Sequence, residues 1–165
     1  MSFDNRMHRD PDVRALELYN NAYYGGLFRR IVARLLGRSR RLQVLSEVIN
    51  GRAIITRKQL GLRTVRLSDV QGTVMRPDQF DIEFYPMTRT TRDRWLSVAS
   101  GMIADYSALP APEFVLFEDA YFVEDGHHRV SVARRLGYLF LDANVTEWIA
   151  DQNASDEASA NDEMN

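Results

Sequence analysis

Residues 114–137 constrain the fold most, because signals for strand, turn, strand, loop and helix follow one another there without a gap. Two apolar runs, residues 114–117 and 121–123, flank a short acidic turn, which is the pattern of a β-hairpin. After a polar loop, apolar residues recur at helical spacing until Gly137, which supplies a helix end. This segment therefore predicts an α+β fold in which a hairpin leads directly into a short helix.

Periodicity elsewhere predicts helices before residue 62 and a mixture of helix and strand after it. Asp10-Pro11 begins the first helix, Gly25-Gly26 interrupts it, and Asn50-Gly51 ends the last N-terminal helix. The expected elements are helices over 11–23, 27–36 and 39–49, a strand over 64–67, a loop or short helix over 75–87, a helix from 90 or 91 to 106, and a strand over 139–145.

We therefore divide the chain into a basic helical N-terminal extension (1–62), an α+β domain (63–150) and an acidic, disordered tail (151–165). The net charge of −2 conceals an asymmetry, since residues 1–63 carry 13 basic and 5 acidic side chains and residues 64–165 carry the other 8 basic and 18 acidic ones. Cysteine is absent, which excludes disulfides, thiolate metal sites and thiol chemistry. Without a long apolar run or a secretory signal pattern, we expect a cytoplasmic protein with no membrane partner.

The polar loop Asp125-Gly126-His127-His128-Arg129 lies where the expected helix begins, a position that favours anion binding. The first N–H groups of a helix have no intrahelical partner and lie at the positive end of its dipole. Gly126 lets the backbone approach a ligand closely, and Arg129 can contact a phosphate in a bidentate manner. Either histidine can donate to a phosphate oxygen or transfer a proton near neutral pH. The sequence thus predicts a phosphate- or nucleotide-binding loop, the 125–129 loop.

Two further side chains extend this prediction. Ser131 can add a hydroxyl from the same helical turn, and Asp125 can coordinate Mg²⁺ beside a bound phosphate. The alternative is that Asp125 only caps the helix and that His127, His128 and Arg129 are exposed polar side chains. Cations at a helix N-terminus are disfavoured unless an anion is present, so we favour the functional interpretation, with His127 and Asp125 as candidate catalytic residues.

Residues 121–137, with the sequence YFVEDGHHRVSVARRLG, resemble the second signature of the ParB/sulfiredoxin-like superfamily. Residues 65–70 (VRLSDV) resemble the opening strand and turn of its ParB-type domains, so the resemblance covers about residues 63–148. It implies a small mixed sheet with helices, in which Gly126, His128 and Arg129 bind nucleotide phosphates. It also implies that the loop after the first strand, with Gln71, Thr73 and Arg76, forms a second wall of the pocket.

The sequence also departs from the members of that superfamily. Sulfiredoxin has its catalytic cysteine where His127 stands, so repair of sulfinic acids is excluded. The Gly-Glu-Arg-Arg signature and the DNA-binding helix-turn-helix of ParB are missing. Archaeal free serine kinases share the Asp-Gly-His-His-Arg form, but a kinase also needs a base for the substrate hydroxyl. The candidates for that base are Glu83, Asp81 and Glu124, of which we take Glu83 as the catalytic candidate.

A cluster of arginines in the N-terminal extension is a candidate nucleic-acid interface, because guanidinium groups can neutralise backbone phosphates. Its members are Arg29, Arg30, Arg34, Arg38, Arg40 and Arg41. The alternatives are a solvated polar face or a surface that docks the acidic C-terminal part of the chain. A metal site built on the histidines is not expected, since adjacent residues on a helix point about 100° apart.

These observations give three hypotheses of different classes. The first is a ParB-like protein that binds a nucleotide, either ATP, ADP or CTP with Mg²⁺, as a nucleotide hydrolase or a small-molecule kinase. The second is a DNA- or RNA-associated regulator that uses the arginine cluster. The third is a non-catalytic interaction module. The sequence does not indicate an oligomeric state.

Overall fold

The computed structural model of the chain describes residues 10–105 and 109–151. The helices are α1 (Pro11–Leu35), α2 (Leu45–Ile49), α3 (Arg92–Ala104) and α4 (His127–Leu136). The strands are β1 (Gln43–Val44), β2 (Ile54–Arg66), β3 (Val70–Thr73), β4 (Glu113–Phe117), β5 (Ala120–Asp125) and β6 (Phe140–Ala150). Single 3-10 turns occupy Leu67–Asp69 and Arg89–Thr91. The expected disorder after Asp151 and the expected helix end at Tyr106 fall outside the described residues.

The six strands form one mixed sheet in the order β1-β3-β5-β4-β6-β2, so the expected α+β fold is confirmed. Strands β4 and β5 pair antiparallel as the expected hairpin, with Phe114 opposite Val123. On either side of this hairpin, β3 runs parallel to β5 and β6 runs parallel to β4, and the edge strand β2 pairs antiparallel with β6 along most of its length. The C-terminal end of β5 therefore leads straight into α4 next to the end of β3.

Helix α1 is one continuous helix, so the expected break at Gly25-Gly26 was wrong. A glycine in a helix costs about 1 kcal/mol relative to alanine, and packing offsets that cost here. A side chain at Gly26 would place its Cβ only 2.7 Å from Cβ of Tyr85, so the glycine lets α1 approach the segment after β3 that contains Tyr85 closely.

The expected third helix was also largely wrong, since residues 43–44 form a strand beside β3 and only Leu45–Ile49 are helical. The expected stop is confirmed, because Asn50 caps α2 in a left-handed conformation with φ of 50°. Strand β2 was expected only at its C-terminal end. It begins at Ile54 and runs through the boundary that we drew between residues 62 and 63, so the first 62 residues contribute to the sheet as well as to α1 and α2.

Alternate residues of the central strands point to opposite faces of the sheet and form two cores. Phe114 faces the larger core, which includes buried residues of α1, α3 and α4, whereas Val115 and Phe117 face a smaller one with Leu45. Trp95 of α3 is fully buried in the larger core. Across the described part of the chain, the structure contains no helix that is both long and apolar enough to cross a membrane.

Candidate functional site

The N-terminus of α4 is formed by Gly126, whose φ of 94° is the left-handed conformation that favours glycine. The first intrahelical bond runs from the N–H of Val130 to the carbonyl of Gly126, at 3.0 Å. No side chain caps this helix end, so the amides of the first turn are available to an external acceptor. The alternative in which Asp125 caps the helix was therefore wrong.

Three arginine side chains from separate segments meet at this helix N-terminus. Arg129 comes from α4, Arg94 from α3 and Arg76 from the loop after β3. They line a small pocket of about 30 Å³ together with the 125–129 loop and Val98. That volume is close to the space one water occupies in the liquid, so the pocket suits a single small polar group. Arg76 and Arg94 are exposed, which leaves their side chains free to move as a larger anion enters.

Arg129 is held in place by two contacts. Its guanidinium donates to the carboxylate of Asp125 at 2.7 Å and to the carbonyl of Pro110. The side chain of Arg129 is 13% exposed, whereas that of Asp125 is 53% exposed. Asp125 therefore orients Arg129, and its own carboxylate remains accessible to solvent.

His127 is buried at the base of the pocket and contacts Thr73 at the end of β3. The hydroxyl oxygen of Thr73 lies 2.7 Å from Nε2 of His127 and accepts from the N–H groups of Met75 and Arg76 at 3.3 and 3.0 Å. The same hydroxyl also lies 3.4 Å from the carbonyl of Val123, so its proton can go to that carbonyl or to Nε2, and the tautomer of His127 sets the direction of the 2.7 Å bond. Burial, followed by the charge of Arg76, lowers the pKa of His127 to about 4.

His128 is buried too, and burial followed by the charge of Arg94 lowers its pKa to about 4. Its ring bonds to the backbone of Thr91 and packs edge-on against Phe80, with the ring centres 5.2 Å apart. Nε2 of His128 has no hydrogen-bond partner and is shielded from solvent. A backbone carbonyl accepts only from a protonated ring nitrogen, so the remaining nitrogen, Nε2, carries the free lone pair.

The structure brings most of the predicted phosphate-site residues together and leaves others elsewhere. Asp125, Gly126, His127, His128, Arg129 and Arg76 line the pocket, and Thr73 supports it through His127. Ser131 lies in the core, where its hydroxyl donates to the carbonyl of Phe84 at 2.7 Å and accepts from Nε1 of Trp95 at 2.8 Å. Gln71 is exposed on β3 and is not among the residues that line the pocket.

The three candidate bases also lie away from the pocket. Glu83 pairs with Arg29 at 3.3 Å and with Arg40 at 3.0 Å, and it lines a different cavity near the C-terminus of α4. Asp81 is fully buried and accepts from Nε of Arg40 at 3.0 Å. Glu124 is exposed on β5. Asp125 is thus the one carboxylate among the described residues that line the pocket.

The fold places the six arginines of the N-terminal cluster in two separate locations. Arg29 pairs with Glu83, and its guanidinium lies 5.4 Å from the ring centre of Tyr85. The other five line a cavity of about 220 Å³ between the end of α1 and the loop that contains Asp78 and Met87; they are Arg30, Arg34, Arg38, Arg40 and Arg41. Two of the five are neutralised, since Arg40 pairs with Asp81 and Arg41 pairs with Glu47 at 2.7 Å.

Two residues of the pocket, Arg94 and Val98, were not predicted from the sequence. They lie one helical turn apart on α3, and the packing of α3 against α4 brings them to the loop.

Within residues 10–105 and 109–151, no group of three or more His, Asp or Glu side chains could hold a metal ion. Comparisons with models of protein families, with curated proteins and with solved structures found no match for this chain.

Proposed function

We propose that this protein binds the phosphate group of a nucleotide at the N-terminus of α4. The observation that carries the proposal is the meeting of Arg76, Arg94 and Arg129 around uncapped helix amides. Three guanidinium cations near the N-terminus of a helix repel one another, and the positive end of the helix dipole destabilises them further unless an anion is bound. A phosphate supplies acceptor oxygens for the three guanidinium groups and for the helix amides.

The charge of the pocket supports a phosphate rather than a neutral ligand. Three guanidinium groups face one carboxylate, that of Asp125, and both histidines are neutral because burial lowers the pKa of each to about 4. The resulting excess of two positive charges matches a phosphate dianion. Arg129 is already oriented by Asp125, so it loses little conformational entropy on binding.

The resemblance of residues 121–137 to the phosphate loop of the ParB/sulfiredoxin-like superfamily supports the same proposal. Of the residues that this resemblance assigns to phosphates, Gly126, His128 and Arg129 line one pocket. ATP, ADP and CTP are the ligands that we propose to test. The pocket of about 30 Å³ is far too small for a nucleoside, so only the phosphate would enter it, as the exposed side chains of Arg76 and Arg94 move, and the nucleoside would lie outside the space that these residues enclose.

Mg²⁺ fits the proposal as a companion of the nucleotide. Mg²⁺ is usually held by one or two carboxylates together with substrate phosphates, and the exposed carboxylate of Asp125 offers one such ligand. Turnover has less support than binding. Nε2 of His127 is already hydrogen-bonded to Thr73, and Glu83 lines another cavity, so neither is placed to accept a proton from a substrate at the helix terminus. Hydrolase or kinase chemistry would require the nucleotide to be bound first, so nucleotide binding is the function that we propose to test.

A thermal-shift experiment tests the proposal. We expect ATP, ADP or CTP, with Mg²⁺, to raise the melting temperature, because a ligand that binds only the folded state stabilises it. Arg94→Ala should abolish the increase, since Arg94 is exposed and its replacement removes charge without disturbing the core. Lys58→Ala, which removes an exposed charge from β2, is the matched control. An unchanged melting temperature with every nucleotide would contradict the proposal, as would a shift that Arg94→Ala leaves intact.

A second candidate function is contact with the phosphate backbone of DNA or RNA, and the cavity lined by five arginines favours it. Because Arg40 and Arg41 are neutralised, Arg34 and Arg38 are the residues to replace. We expect Arg34→Ala with Arg38→Ala to weaken binding to a duplex and to lower its salt dependence by about 0.9 in the logarithmic slope for each phosphate that the variant no longer neutralises. Binding that is unaffected by this double replacement would remove the role of the cluster.

A further inference from the structure

A cavity of about 610 Å³ lies at the C-terminal end of α4, the end opposite the 125–129 loop, and we call it the Arg135 cavity. Helix α4 has 10 residues and is therefore about 15 Å long, which separates this cavity from the phosphate pocket. Sites for small molecules in proteins usually enclose about 300–1,000 Å³. The Arg135 cavity therefore has room for a whole small molecule, whereas the phosphate pocket encloses only a single group.

Three arginines give the Arg135 cavity an excess of positive charge. Arg134 and Arg135 belong to the last turn of α4, and Arg66 is the last residue of β2. Glu83 supplies the one carboxylate among the described residues that line the cavity, and it already pairs with two arginines outside it. The three guanidinium groups are therefore not neutralised within the cavity, which favours an anionic ligand.

Backbone carbonyls hold two of these arginines in place without neutralising them. Arg134 donates to the carbonyls of Leu67 and Val70, both at 2.7 Å, and Arg135 donates to the carbonyl of Glu83 at 3.3 Å. Burial, followed by the charge of Arg135, lowers the pKa of Arg134, since both disfavour its charged form. A bound anion would offset that cost.

The helix end determines which anion fits. The negative end of the α4 dipole, equivalent to roughly half an elementary charge, offsets part of the positive charge here, whereas the positive end adds to it at the phosphate pocket. A helix C-terminus also has free carbonyls instead of the free amides that bind phosphate oxygens. The Arg135 cavity is therefore suited to a monoanion rather than to a phosphate dianion.

Part of the cavity wall is apolar and aromatic. Tyr138, Leu139 and Phe140 lead from α4 into β6 and line the cavity, and they are 37%, 72% and 48% exposed, respectively. The guanidinium of Arg66 lies 5.6 Å from the ring centre of Phe140. An aromatic ring beside a guanidinium group suits a flat ligand, because the ring of the ligand can stack and its acid group can bond to the arginine.

We propose that the Arg135 cavity binds an aromatic carboxylate. The carboxylate bonds to the guanidinium groups of Arg66 and Arg135, and the ring packs against Leu139 and Phe140. A planar carboxylate and a guanidinium group can form two parallel hydrogen bonds, which fix the orientation of the ligand. This site is independent of nucleotide binding at the other end of α4.

Calorimetry on the full chain with 1-naphthoate as the probe tests the proposal. We expect saturable binding of one molecule per chain, and no measurable binding of 1-naphthamide, which has the same rings but no charge. Arg66→Gln should weaken the binding of naphthoate at least about 10-fold, the size expected for one charge-assisted hydrogen bond. Arg63→Gln is the matched control, since Arg63 is also exposed on β2 but does not line the cavity.

Three results of this experiment would overturn the proposal. They are no binding of naphthoate, equal binding of naphthoate and naphthamide, and naphthoate binding that Arg66→Gln leaves unchanged. Because Arg66 is exposed, its replacement should keep the melting temperature of the wild type, so a loss of binding is not a loss of folding.

Leu139→Asp tests the apolar wall, because it puts a second carboxylate into the cavity. Repulsion should then reduce naphthoate binding below detection. Leu139 is 72% exposed, so the variant should fold as the wild type does. Ile55→Asp is the matched control, since Ile55 is 63% exposed and lies outside the cavity. Equal affinities of the two variants for naphthoate would contradict the assignment of the probe to this cavity.

Arg94→Ala separates the Arg135 cavity from the phosphate pocket. Naphthoate should bind this variant as tightly as it binds the wild type, and saturating ADP should not displace it, because the two sites lie at opposite ends of α4. Naphthoate binding that Arg94→Ala abolishes or that ADP displaces would place the probe in the phosphate pocket and reject the proposal. The response to ADP should in turn survive Arg66→Gln, so the failure of one proposal is distinguishable from the failure of the other.

Discussion

The hydroxyl of Thr73, at the end of β3, forms a hydrogen bond of 2.7 Å with Nε2 of His127, at the start of α4. The bond joins the strand that precedes the Arg76 loop to the helix whose N-terminus forms the pocket. The position of Arg76 depends on the same hydroxyl, because the N–H of Arg76 donates to it at 3.0 Å.

Thr73→Val should therefore weaken both stability and phosphate binding. Valine keeps the shape of threonine but leaves the N–H of Arg76 and Nε2 of His127 without a partner, which costs about 1–3 kcal/mol for each buried group. Urea unfolding measures the loss of stability, and calorimetry with ADP measures the loss of affinity. Thr64→Val is the control, because its hydroxyl bonds to Asp142 on the exposed surface at 2.6 Å. Equal stability of the two variants would show that the Thr73–His127 bond contributes little.

The two histidines should make stability depend on pH in a defined window. Both have a pKa of about 4 in the folded protein, below the ordinary value of 6.5, so the unfolded chain binds protons first as the pH falls. Stability is complete above about pH 6.5 and decreases towards pH 4, by up to about 1.4 kcal/mol per pH unit for each histidine. Urea unfolding between pH 7 and pH 5 checks this, and His128→Gln should flatten the dependence. Stability that stays constant over this range would mean that the histidines titrate normally.

Gly126→Ala should destabilise the protein more than Gly137→Ala. Both glycines have positive φ, 94° and 81°, which costs an alanine roughly 1–2 kcal/mol. A Cβ at Gly126 would also lie 2.5 Å from Cβ of Pro112, whereas one at Gly137 would meet no atom within 4 Å. The difference between the two unfolding free energies thus isolates the close approach of the loop to Pro112. Equal losses would show that the loop can shift without cost.

Replacement of Gly25 or Gly26 by alanine should change the stability of the protein in opposite directions. Gly25→Ala should stabilise the protein by about 0.5–1 kcal/mol, because a helical glycine loses more backbone entropy and its new Cβ would be 3.8 Å from the Tyr85 ring. Gly26→Ala should destabilise it by about 1–3 kcal/mol, since the Cβ would overlap with Tyr85. Thermal melts of the two variants give the comparison. Stabilisation by both replacements would contradict the close packing of α1.

The elements with strong local signals could be predicted from the sequence. The β4–β5 hairpin and α4 carry alternating or helical apolar residues bounded by turn residues, and Gly137 ends α4 in a left-handed conformation as expected. Strand β2 could not be predicted along its length, because it lies at the edge of the sheet and most of its side chains are exposed and polar. Helix α1 was divided wrongly because Tyr85, remote in sequence, decides the packing of Gly26.

The residues of the candidate site also divide into those that the local sequence predicts and those that only tertiary packing brings to the site. The 125–129 loop was found because its residues are contiguous, and Arg76 and Thr73 because they follow the first strand of the resemblance. Arg94 and Val98 were not found, because only the packing of α3 on α4 brings them to the loop. Ser131 was misplaced because a residue one turn further along α4 faces Trp95 in the core rather than the pocket. Tertiary contacts, rather than local sequence, decide these positions.

We propose that a phosphate binds at the N-terminal amides of α4. A titration of ¹⁵N-labelled protein with ADP, followed by the amide resonances of His127, His128 and Arg129, tests it most directly. We predict that these three amides shift furthest and saturate together, and that Arg94→Ala reduces their shifts at every ADP concentration. Two results would contradict this site. The three amide resonances could stay unchanged while other resonances shift, which would place ADP elsewhere, or no amide resonance of the protein could shift at all.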